Sequence, residues 1–243
     1  LYFGNNGYLF SLRPTQDNRM MFQRESLWWN VRGDWHPVAG HFETAYKERK
    51  HHGNIWDFVV PAMRSWKLFH FHDTSASALV KQIHNINDNE YLRDDARNLA
   101  SFLLRLKSQY REHYQRIVKT IRLVAPFFGD FHLRATIGSA EKIQLEWTEA
   151  GRDEPFTASA LSDGTLRFMC LATLLLQPKN LLPDTILIDE PELGLHPALL
   201  ESLAGLIHYT ADKSQIIIAT QSPFLLNFFE PEEVVTIDHR GQI

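Results

Sequence analysis

The sequence predicts an α/β fold with a parallel sheet in its C-terminal part, a β-rich N-terminal part and a helical insertion between them. Three observations predict it: strands alternate with helices after residue 160, hairpin signals fill residues 1–30, and helical periodicity runs through residues 93–124. Strand–helix–strand alternation implies parallel strands joined by right-handed crossovers. We therefore divide the chain into a β-rich part (1–60), a helical subdomain (61–130) and a C-terminal lobe that holds the polar motifs (131–243).

Composition is that of an ordinary globular chain. The 243 residues suffice for one large domain or two small ones, and 44% of them are hydrophobic. The net charge of −4 excludes a basic surface over the whole molecule, so any nucleic-acid contact must be a local patch. The single cysteine, Cys170, lies in an apolar run, which favours a small core residue over a catalytic one. One cysteine builds no disulfide framework, so we expect a reducing, cytoplasmic location.

Membrane and targeting signals are weak in this sequence. The longest apolar stretch, Phe168 to Leu176, is too short to span a bilayer, and no secretory leader is visible. We therefore expect no membrane partner. The sequence starts at Leu1-Tyr2-Phe3-Gly4, without Met and in the middle of a β-region. We expect it to be a part of a longer gene product with an incomplete N-terminal lobe.

The first 30 residues carry the hairpin signal. Leu1 to Phe3 and Tyr8 to Leu12 flank Gly4-Asn5-Asn6-Gly7, a turn sequence typical of β-hairpins. Met20 to Trp29 predicts a further strand. Residues 31–56 predict loops with one short strand or helix near His41 to Lys47.

Two histidine pairs are weak metal candidates. For His51-His52, a solvated loop is favoured over a metal site. In His70-Phe71-His72-Asp73, alternation places both histidines on one strand face. Metal sites need about four ligands, and no distant ligand set is apparent here, so pocket lining or a structural turn is favoured.

A long basic, helical stretch follows. Leu99, Phe102, Leu103 and Leu106 share one face of a helix predicted from Arg93 to Leu106, and Arg105 to Val124 continues helically until Ala125-Pro126. Basic side chains occupy mostly the other half of the second stretch: Arg105, Lys107, Arg111, Arg116, Lys119 and Arg122. This basic half could contact DNA phosphates. A solvated helix face is the more common meaning of such a charge run.

The C-terminal elements predict an alternating order. A hairpin is expected around Gly138, from Phe131 to Thr136 and from Ile143 to Trp147. The remaining elements are a helix (Leu166 to Leu176), a strand (Thr185 to Ile188), a helix (Pro197 to Tyr209), a strand (Ser214 to Thr220), a short helix (to Phe229) and a last strand (Val234 to Ile237).

Polar motifs follow in a fixed order at the ends of these elements. Ser162-Asp163-Gly164-Thr165 begins a helix and offers a hydroxyl, backbone N–H groups and a favourable dipole for phosphate, although the same residues are also plain N-caps. Asp189-Glu190 ends the strand that begins at Thr185. These carboxylates can hold Mg²⁺ and polarise a water that attacks a γ-phosphate, or can simply form a solvated acidic turn. Gln221-Ser222 ends the next strand, and parallel strand ends bring the last two motifs together.

In this order, the motifs resemble those of the ABC-type ATPase heads of the RecF, SMC and OLD group, and more closely the bacterial AAA_21-type ATPases. Leu161 to Phe168 matches the ABC signature, Ile186 to Pro197 the Walker B motif and D-loop, and Ala219 to Pro223 the switch. Phe69 to Ser75 and Tyr91 to Leu99 also look like segments of that subfamily. The resemblance implies a P-loop NTPase fold.

The resemblance further implies roles for single residues. Asp189 would coordinate Mg²⁺, Glu190 would be the general base or orient the attacking water, and Gln221 would approach the γ-phosphate of ATP. Nucleotide held by a second head in a homodimer would meet residues of the signature and the D-loop: Ser162, Asp163, Gly164, Thr165, Gly194 and His196.

Two departures from the family pattern qualify this expectation. The switch residue is most often His, whereas Gln221 stands here, and a Gln cannot become a cation. None of the 12 glycines lies in a G-x-x-x-x-G-K-[ST] phosphate loop. Because the Asp189-Glu190 pair is intact, omission of that segment is favoured over its loss.

Two functions stay open from the sequence. The first is an ATP-hydrolysing head that acts in DNA repair, DNA maintenance or anti-phage defence. The second is a nucleotide-gated scaffold that holds an effector nuclease or toxin. A Toprim nuclease within this sequence is disfavoured, because little sequence follows the last predicted strand at Ile237.

Overall fold

A computed structural model describes residues 2–3, 6–29, 33–46 and 56–237. The chain divides into two compact units, residues 1–66 and 67–243, which are described separately below. The His51-His52 pair lies outside the described residues. In the described ranges, no helix is long and apolar enough to cross a membrane. The three-part division predicted from the sequence stays a prediction.

The N-terminal unit contains an antiparallel sheet with strand order β1-β2-β3-β4. Its elements are β1 (Tyr2–Phe3), β2 (Asn6–Pro14), β3 (Met20–Trp29), β4 (Gly33–Val38) and α1 (Trp56–Arg64). The predicted hairpin is confirmed, since Tyr2 lies opposite Gly7 and Phe3 opposite Asn6. The predicted strand from Met20 to Trp29 is confirmed as β3.

Strand β4 corrects the prediction of loops in this region. Gly33 and Pro37 weaken the strand signal in the sequence, yet β4 lies at an end of the sheet, where a proline is tolerated. Near His41 the structure has only an isolated bridge to Phe22, and the described residues up to Tyr46 form turns.

In its described residues, the C-terminal unit has three small sheets and five α-helices. Its strands are β5 (Trp66–Phe69), β6 (His84–Asn85), β7 (Phe128–Phe131), β8 (Ala135–Thr136), β9 (Ser139–Ile143), β10 (Glu146–Glu149), β11 (Pro155–Thr157), β12 (Thr185–Asp189) and β13 (Gln215–Ala219). Its helices are α2 (Leu99–Gln109), α3 (Arg111–Val124), α4 (Asp163–Leu176), α5 (Leu200–Ala211) and α6 (Pro223–Leu226). The strand orders are β13-β12-β5, β11-β10-β7 and β6-β9-β8.

Strands β12 and β13 form the predicted parallel pair. Their register runs from Thr185 opposite Gln215 to Asp189 opposite Ala219. The strand–helix–strand path through α5 therefore delivers both carboxyl ends at one edge of the sheet. The α/β fold class with a parallel sheet is confirmed.

Helix α4 is the centre of the core of this unit. Every residue from Leu166 to Leu176 is buried, and both α3 and α5 pack against the helix. A helix that is apolar on all sides belongs inside a protein, and each large apolar side chain buried there contributes about 1.5–3 kcal/mol. Cys170 is 2% exposed, and burial raises the pKa of its thiol to about 12. This confirms Cys170 as a core residue.

Helix α2 begins at Leu99, not at Arg93 as predicted. Ala96 has a φ of +57°, which no α-helix accommodates. The Asn98 side-chain oxygen accepts a hydrogen bond from the backbone N–H of Arg93 at 2.9 Å. Side-chain bonds of this kind compete with helix formation, and they fold the segment before Leu99 into turns.

The helical stretch is two helices, because Tyr110 interrupts it with φ −133°. The predicted apolar face of the first helix is nevertheless confirmed, and the half of the second helix opposite its basic side chains is also buried. Full burial applies to Leu99, Phe102, Leu103, Leu106, Ile117 and Ile121, each 0% exposed. Helix α3 ends at Val124, as the Ala125-Pro126 pair predicts.

Two predictions after α3 need correction. The hairpin around Gly138 exists as β8 and β9, with Gly138 at φ +87°, but Phe131 and Trp147 belong to β7 and β10, which pair in a different sheet. The strand predicted from Val234 to Ile237 is wrong, since these described residues form no ladder. Val235 and Ile237 are 85% and 94% exposed. Branched residues favour a strand only where neighbours pack on them.

Candidate functional site

The carboxyl ends of β12 and β13 bring two of the three polar motifs together. Asp189 is the last residue of β12, and the backbone N–H of Glu190 donates to the Ala219 carbonyl at 2.8 Å, which extends the pairing by one residue. Beyond it, Gln221 Nε2 donates to Glu190 Oε1 at 3.3 Å. Asp189, Glu190 and Gln221 therefore lie at one sheet edge, where ligands of α/β folds bind.

Glu190 has an unusual backbone. Its φ is +40°, in the left-handed region that non-glycine residues rarely adopt. Such a conformation costs about 1–3 kcal/mol and persists only where the surroundings enforce it. Here the chain reverses directly after the strand, and the Leu193 N–H closes the turn on the Glu190 carbonyl at 3.1 Å.

His72 holds the end of β12 through a hydrogen bond to its backbone. Its Nε2 donates to the carbonyl of Asp189 at 2.8 Å, which fixes the proton on that ring nitrogen. The rings of His70 and His72 lie 6.4 Å apart, and His70 is exposed. In the part of the chain that the structure describes, no cluster of three His, Cys, Asp or Glu side chains could hold a metal ion.

Arg167 lies within the signature match, but the sequence predicts no role for it. It is 5% exposed and donates to three backbone carbonyls: Phe71 from Nε at 2.8 Å, His72 from Nη2 at 2.9 Å, and Leu193 from Nη1. Burial lowers the pKa of its guanidinium. Its available sequence signal was a single charge among the apolar residues of α4. The guanidinium ties α4 to the segment after β5 and to the turn after β12.

Two glycines permit this close packing. Gly194 has φ +71°, and a Cβ there would lie 2.4 Å from Arg167 Nη1. A Cβ on Gly164 would lie 2.6 Å from the Gly194 carbonyl oxygen. The start of α4 and the turn after β12 therefore touch through backbone atoms within one chain. The structure thus joins the first motif to the second.

The predicted residues at the start of α4 form a helix cap. Ser162 Oγ accepts from the Thr165 N–H at 3.2 Å and lies 2.8 Å from the Thr165 hydroxyl. Asp163 is exposed, and its Oδ1 lies 3.9 Å from the ammonium of the buried Lys81. The N-cap role is present, and the phosphate role of these residues stays a prediction.

The turn after β12 is also tied to the end of β13. The Thr220 hydroxyl donates to Glu192 Oε1, and the Leu195 N–H donates to the Glu192 carbonyl at 2.9 Å. His196 caps the next helical turn, where its Nδ1 accepts from the Ala198 N–H at 3.2 Å. His196 is exposed.

The strand-end residues suit the Mg²⁺ and terminal phosphate of a nucleotide. Mg²⁺ keeps several waters and uses one or two carboxylates besides phosphate oxygens. The half-buried Asp189 and Glu190 meet that need, and the Gln221 amide is a neutral donor beside them. The G-x-x-x-x-G-K-[ST] loop that would cradle the other phosphates does not occur in the sequence.

Several solved structures are similar to this chain at low identity. The SmcHead bound to the C-winged helix domain of ScpA is 14% identical, with TM-score 0.45, over 93% of this chain and 69% of that one. The SMC head domain from Thermotoga maritima is 11% identical, with TM-score 0.39, over 93% of this chain and 68% of that one. MJ1267, an ATP-binding cassette of an ABC transporter, is 14% identical, with TM-score 0.35, over 86% of this chain and 64% of that one. No curated protein matches the sequence.

A protein-family comparison covers most of the chain. The family described as "AAA domain, putative AbiEii toxin, Type IV TA system" matches residues 27–227. This span contains the start of α4, the ends of β12 and β13 and the turns between them. The match agrees with the family resemblance of the ordered motifs. The chain therefore belongs to this AAA-domain family, AAA_21.

Proposed function

We propose that this chain forms part of an ATP-hydrolysing, ABC-type head that dimerises around nucleotide. The observation that carries the proposal is the shared sheet edge, where Glu190 and Gln221 lie 3.3 Å apart next to Asp189. Asp189 holds Mg²⁺, and Glu190 acts as general base or orients the attacking water. When bound, Mg²⁺ neutralises charge that develops on the transferred phosphoryl group.

The remaining predicted residues act on the nucleotide of a second head. Ser162 and Asp163 are exposed at the start of α4, and Gly194 and His196 are exposed in the turn beside it. Their exposure and mutual contact support one continuous surface for a second copy. Ser162 and Gly164 would contact the γ-phosphate there, where the N-terminus of α4 favours negative charge.

The output of such a head lies in DNA repair, DNA maintenance or anti-phage defence. Basic side chains on α3 support a nucleic-acid partner. The family description names a putative toxin of a type IV TA system, which fits a defence role.

The substitution Glu190→Gln in the full-length protein tests the proposal. It removes the negative charge with almost no change in shape, so we expect ATP-bound dimers to accumulate while turnover is lost. Phosphate release and size-exclusion chromatography with ATP measure both. Glu201→Gln is the control, because Glu201 is an exposed carboxylate in the first turn of α5. Unchanged hydrolysis by the Glu190→Gln protein would refute the assignment.

A nucleotide-gated scaffold for an effector nuclease or toxin is the second candidate. The observation that favours it is the glutamine at position 221, whose side chain lies beside Glu190 where the family most often has a histidine. A glutamine also cannot supply positive charge at the switch position. Negligible hydrolysis together with ATP-dependent binding of a partner protein would select this candidate over the first.

A further inference from the structure

The structure separates the six basic residues of the helical stretch into two groups. Arg105 donates to the carbonyl of Asn89 at 3.0 Å and to that of Glu90. Arg116 lies over the ring of Tyr209, with the guanidinium carbon 5.4 Å from the ring centre, and donates to its hydroxyl. These two cations are engaged in contacts within the protein.

The other four line one cleft beside α3, which we call the α3 cleft. Its cations are Lys107, Arg111, Lys119 and Arg122, and its volume is 610 Å³. Asp130 is the acidic residue in its lining. The cleft lies wholly within the C-terminal unit.

Asp130 does not neutralise this group of cations. Its carboxylate already accepts from the Tyr114 hydroxyl at 2.6 Å, the Phe131 N–H at 2.8 Å and Lys107 Nζ at 3.3 Å. Lys107 therefore balances the negative charge of Asp130, and two neutral donors satisfy the other acceptor positions of the carboxylate. This leaves the charges of the other three cations.

Among the described residues, those three cations have no acidic partner. Arg122 donates there to a neutral carbonyl, that of Gly129, at 2.9 Å from Nε. Arg111 and Lys119 are exposed, and among the residues described no carboxylate lies within 4.0 Å of either charge. Three uncompensated positive charges thus share one cleft of a chain whose net charge is −4.

The cations form a row. At 1.5 Å per residue, Arg111 and Lys119 lie about 12 Å apart along α3, and Arg111 and Arg122 about 16 Å. At 100° per residue they fall within about 80° of one another around the helix. A single phosphate would need cations that converge on one point. A row of this length matches about four or five steps of a nucleic-acid strand, at about 3.4 Å each.

We propose that the α3 cleft binds the sugar–phosphate backbone of a nucleic acid. Phosphate contacts from exposed cations position a protein on the backbone and carry no sequence information, so the binding is independent of sequence. The inference deepens the proposed function, on which its biological role rests, by locating the nucleic-acid contact. The contact itself requires no ATP hydrolysis.

A charge-matched pair of double variants tests the cleft. In the full-length protein without ATP, binding to labelled single-stranded and duplex 30-mers is measured over a salt series. Arg111→Gln with Lys119→Gln should lower the slope of log K against log salt by about 2, one per lost phosphate contact. The affinity at 0.1 M salt should fall on the order of 10- to 100-fold.

The control is Arg105→Gln with Arg116→Gln, which removes the same charge from residues engaged elsewhere. It should keep the wild-type salt slope. Equal losses in both double variants, or an unchanged slope in the first, would overturn the proposal. Tighter binding of the wild-type protein to anionic phospholipid vesicles than to either oligonucleotide would overturn it as well. The assay contains no ATP, so its outcome does not depend on hydrolysis, and a failed ATPase assignment and a failed cleft give different results.

Discussion

The strand-end site and the α3 cleft hold their charged groups in opposite ways. In the site, backbone geometry and a buried guanidinium hold the groups in place. Glu190 has a positive φ, Gly194 packs against Arg167, and His72 donates a hydrogen bond to the carbonyl of Asp189. In the cleft, long and exposed side chains project from α2 and α3, whose buried apolar faces do not depend on them. Substitutions should therefore have cooperative effects on folding at the site, whereas effects at the cleft should be confined to binding.

Arg167 gives the largest expected difference between the two regions. Arg167→Ala leaves the carbonyls of Phe71, His72 and Leu193 without their donor, at about 1–3 kcal/mol for each buried group. We expect unfolding in urea to show a loss of about 3 kcal/mol or more. Arg111→Ala on the cleft should change the free energy of unfolding by less than about 0.5 kcal/mol. A similar small change for both variants would contradict the contrast.

Gly194→Ala should destabilise the protein less than Arg167→Ala, and it tests the packing of the turn after β12. The new Cβ would lie 2.4 Å from Arg167 Nη1 and would also impose strain at φ +71°. We expect a loss of about 2–3 kcal/mol in thermal or urea unfolding. Gly138→Ala separates the two causes, because φ is +87° there while no atom lies within 4 Å of the new Cβ. Its loss should be about 1 kcal/mol, from backbone strain alone. Equal losses would show that contact with Arg167 is unimportant.

The Cys170 thiol should make the free energy of unfolding depend on pH, which is the smallest of the expected effects. Burial raises the pKa of its thiol from 9.0 to about 12. The unfolded chain therefore loses the thiol proton first, and the contribution of Cys170 to stability falls as the pH rises above about 9. The stability advantage of the wild type over Cys170→Ala should shrink by about 1 kcal/mol between pH 8 and pH 10.

Urea unfolding of both proteins at the two pH values measures this change. A thiol reagent should also leave folded Cys170 unmodified at pH 8, because the thiol is 2% exposed and protonated. A constant difference between the proteins, with rapid labelling of the folded wild type, would contradict the burial of α4.

The sequence predicted the parts of the site that depend on strand ends. A parallel pair must place the residues after Asp189 and Ala219 side by side, so the meeting of Glu190 and Gln221 follows from the alternation of strands and helices. The capping role of Ser162 follows from local chemistry in the same way.

Long-range packing was beyond the reach of the sequence. Arg167 finds carbonyls 96 and 26 residues away along the chain, and no local pattern specifies such partners. Periodicity predicted which half of the basic stretch faces outward, but it could not tell that Arg105 and Arg116 reach groups in the protein. Flexible side chains choose among nearby acceptors only once the fold has assembled.

The remaining errors concern strands at the limits of sheets. Pro37 masked β4 because a proline usually argues against a strand, and only an edge position removes that objection. Val234 to Ile237 has the composition of a strand, yet its described residues lack a partner, so composition alone did not produce one.

The central claim is that Glu190 of one head and Ser162 of another complete one ATP site. Mixing two inactive full-length variants, Glu190→Gln and Ser162→Arg, tests it most directly by steady-state ATP hydrolysis. In a mixed dimer one site carries both defects and the other carries none. Random assortment of a symmetric dimer therefore predicts recovery of about one quarter of the wild-type rate. A mixture that stays as inactive as the separate variants would contradict the claim.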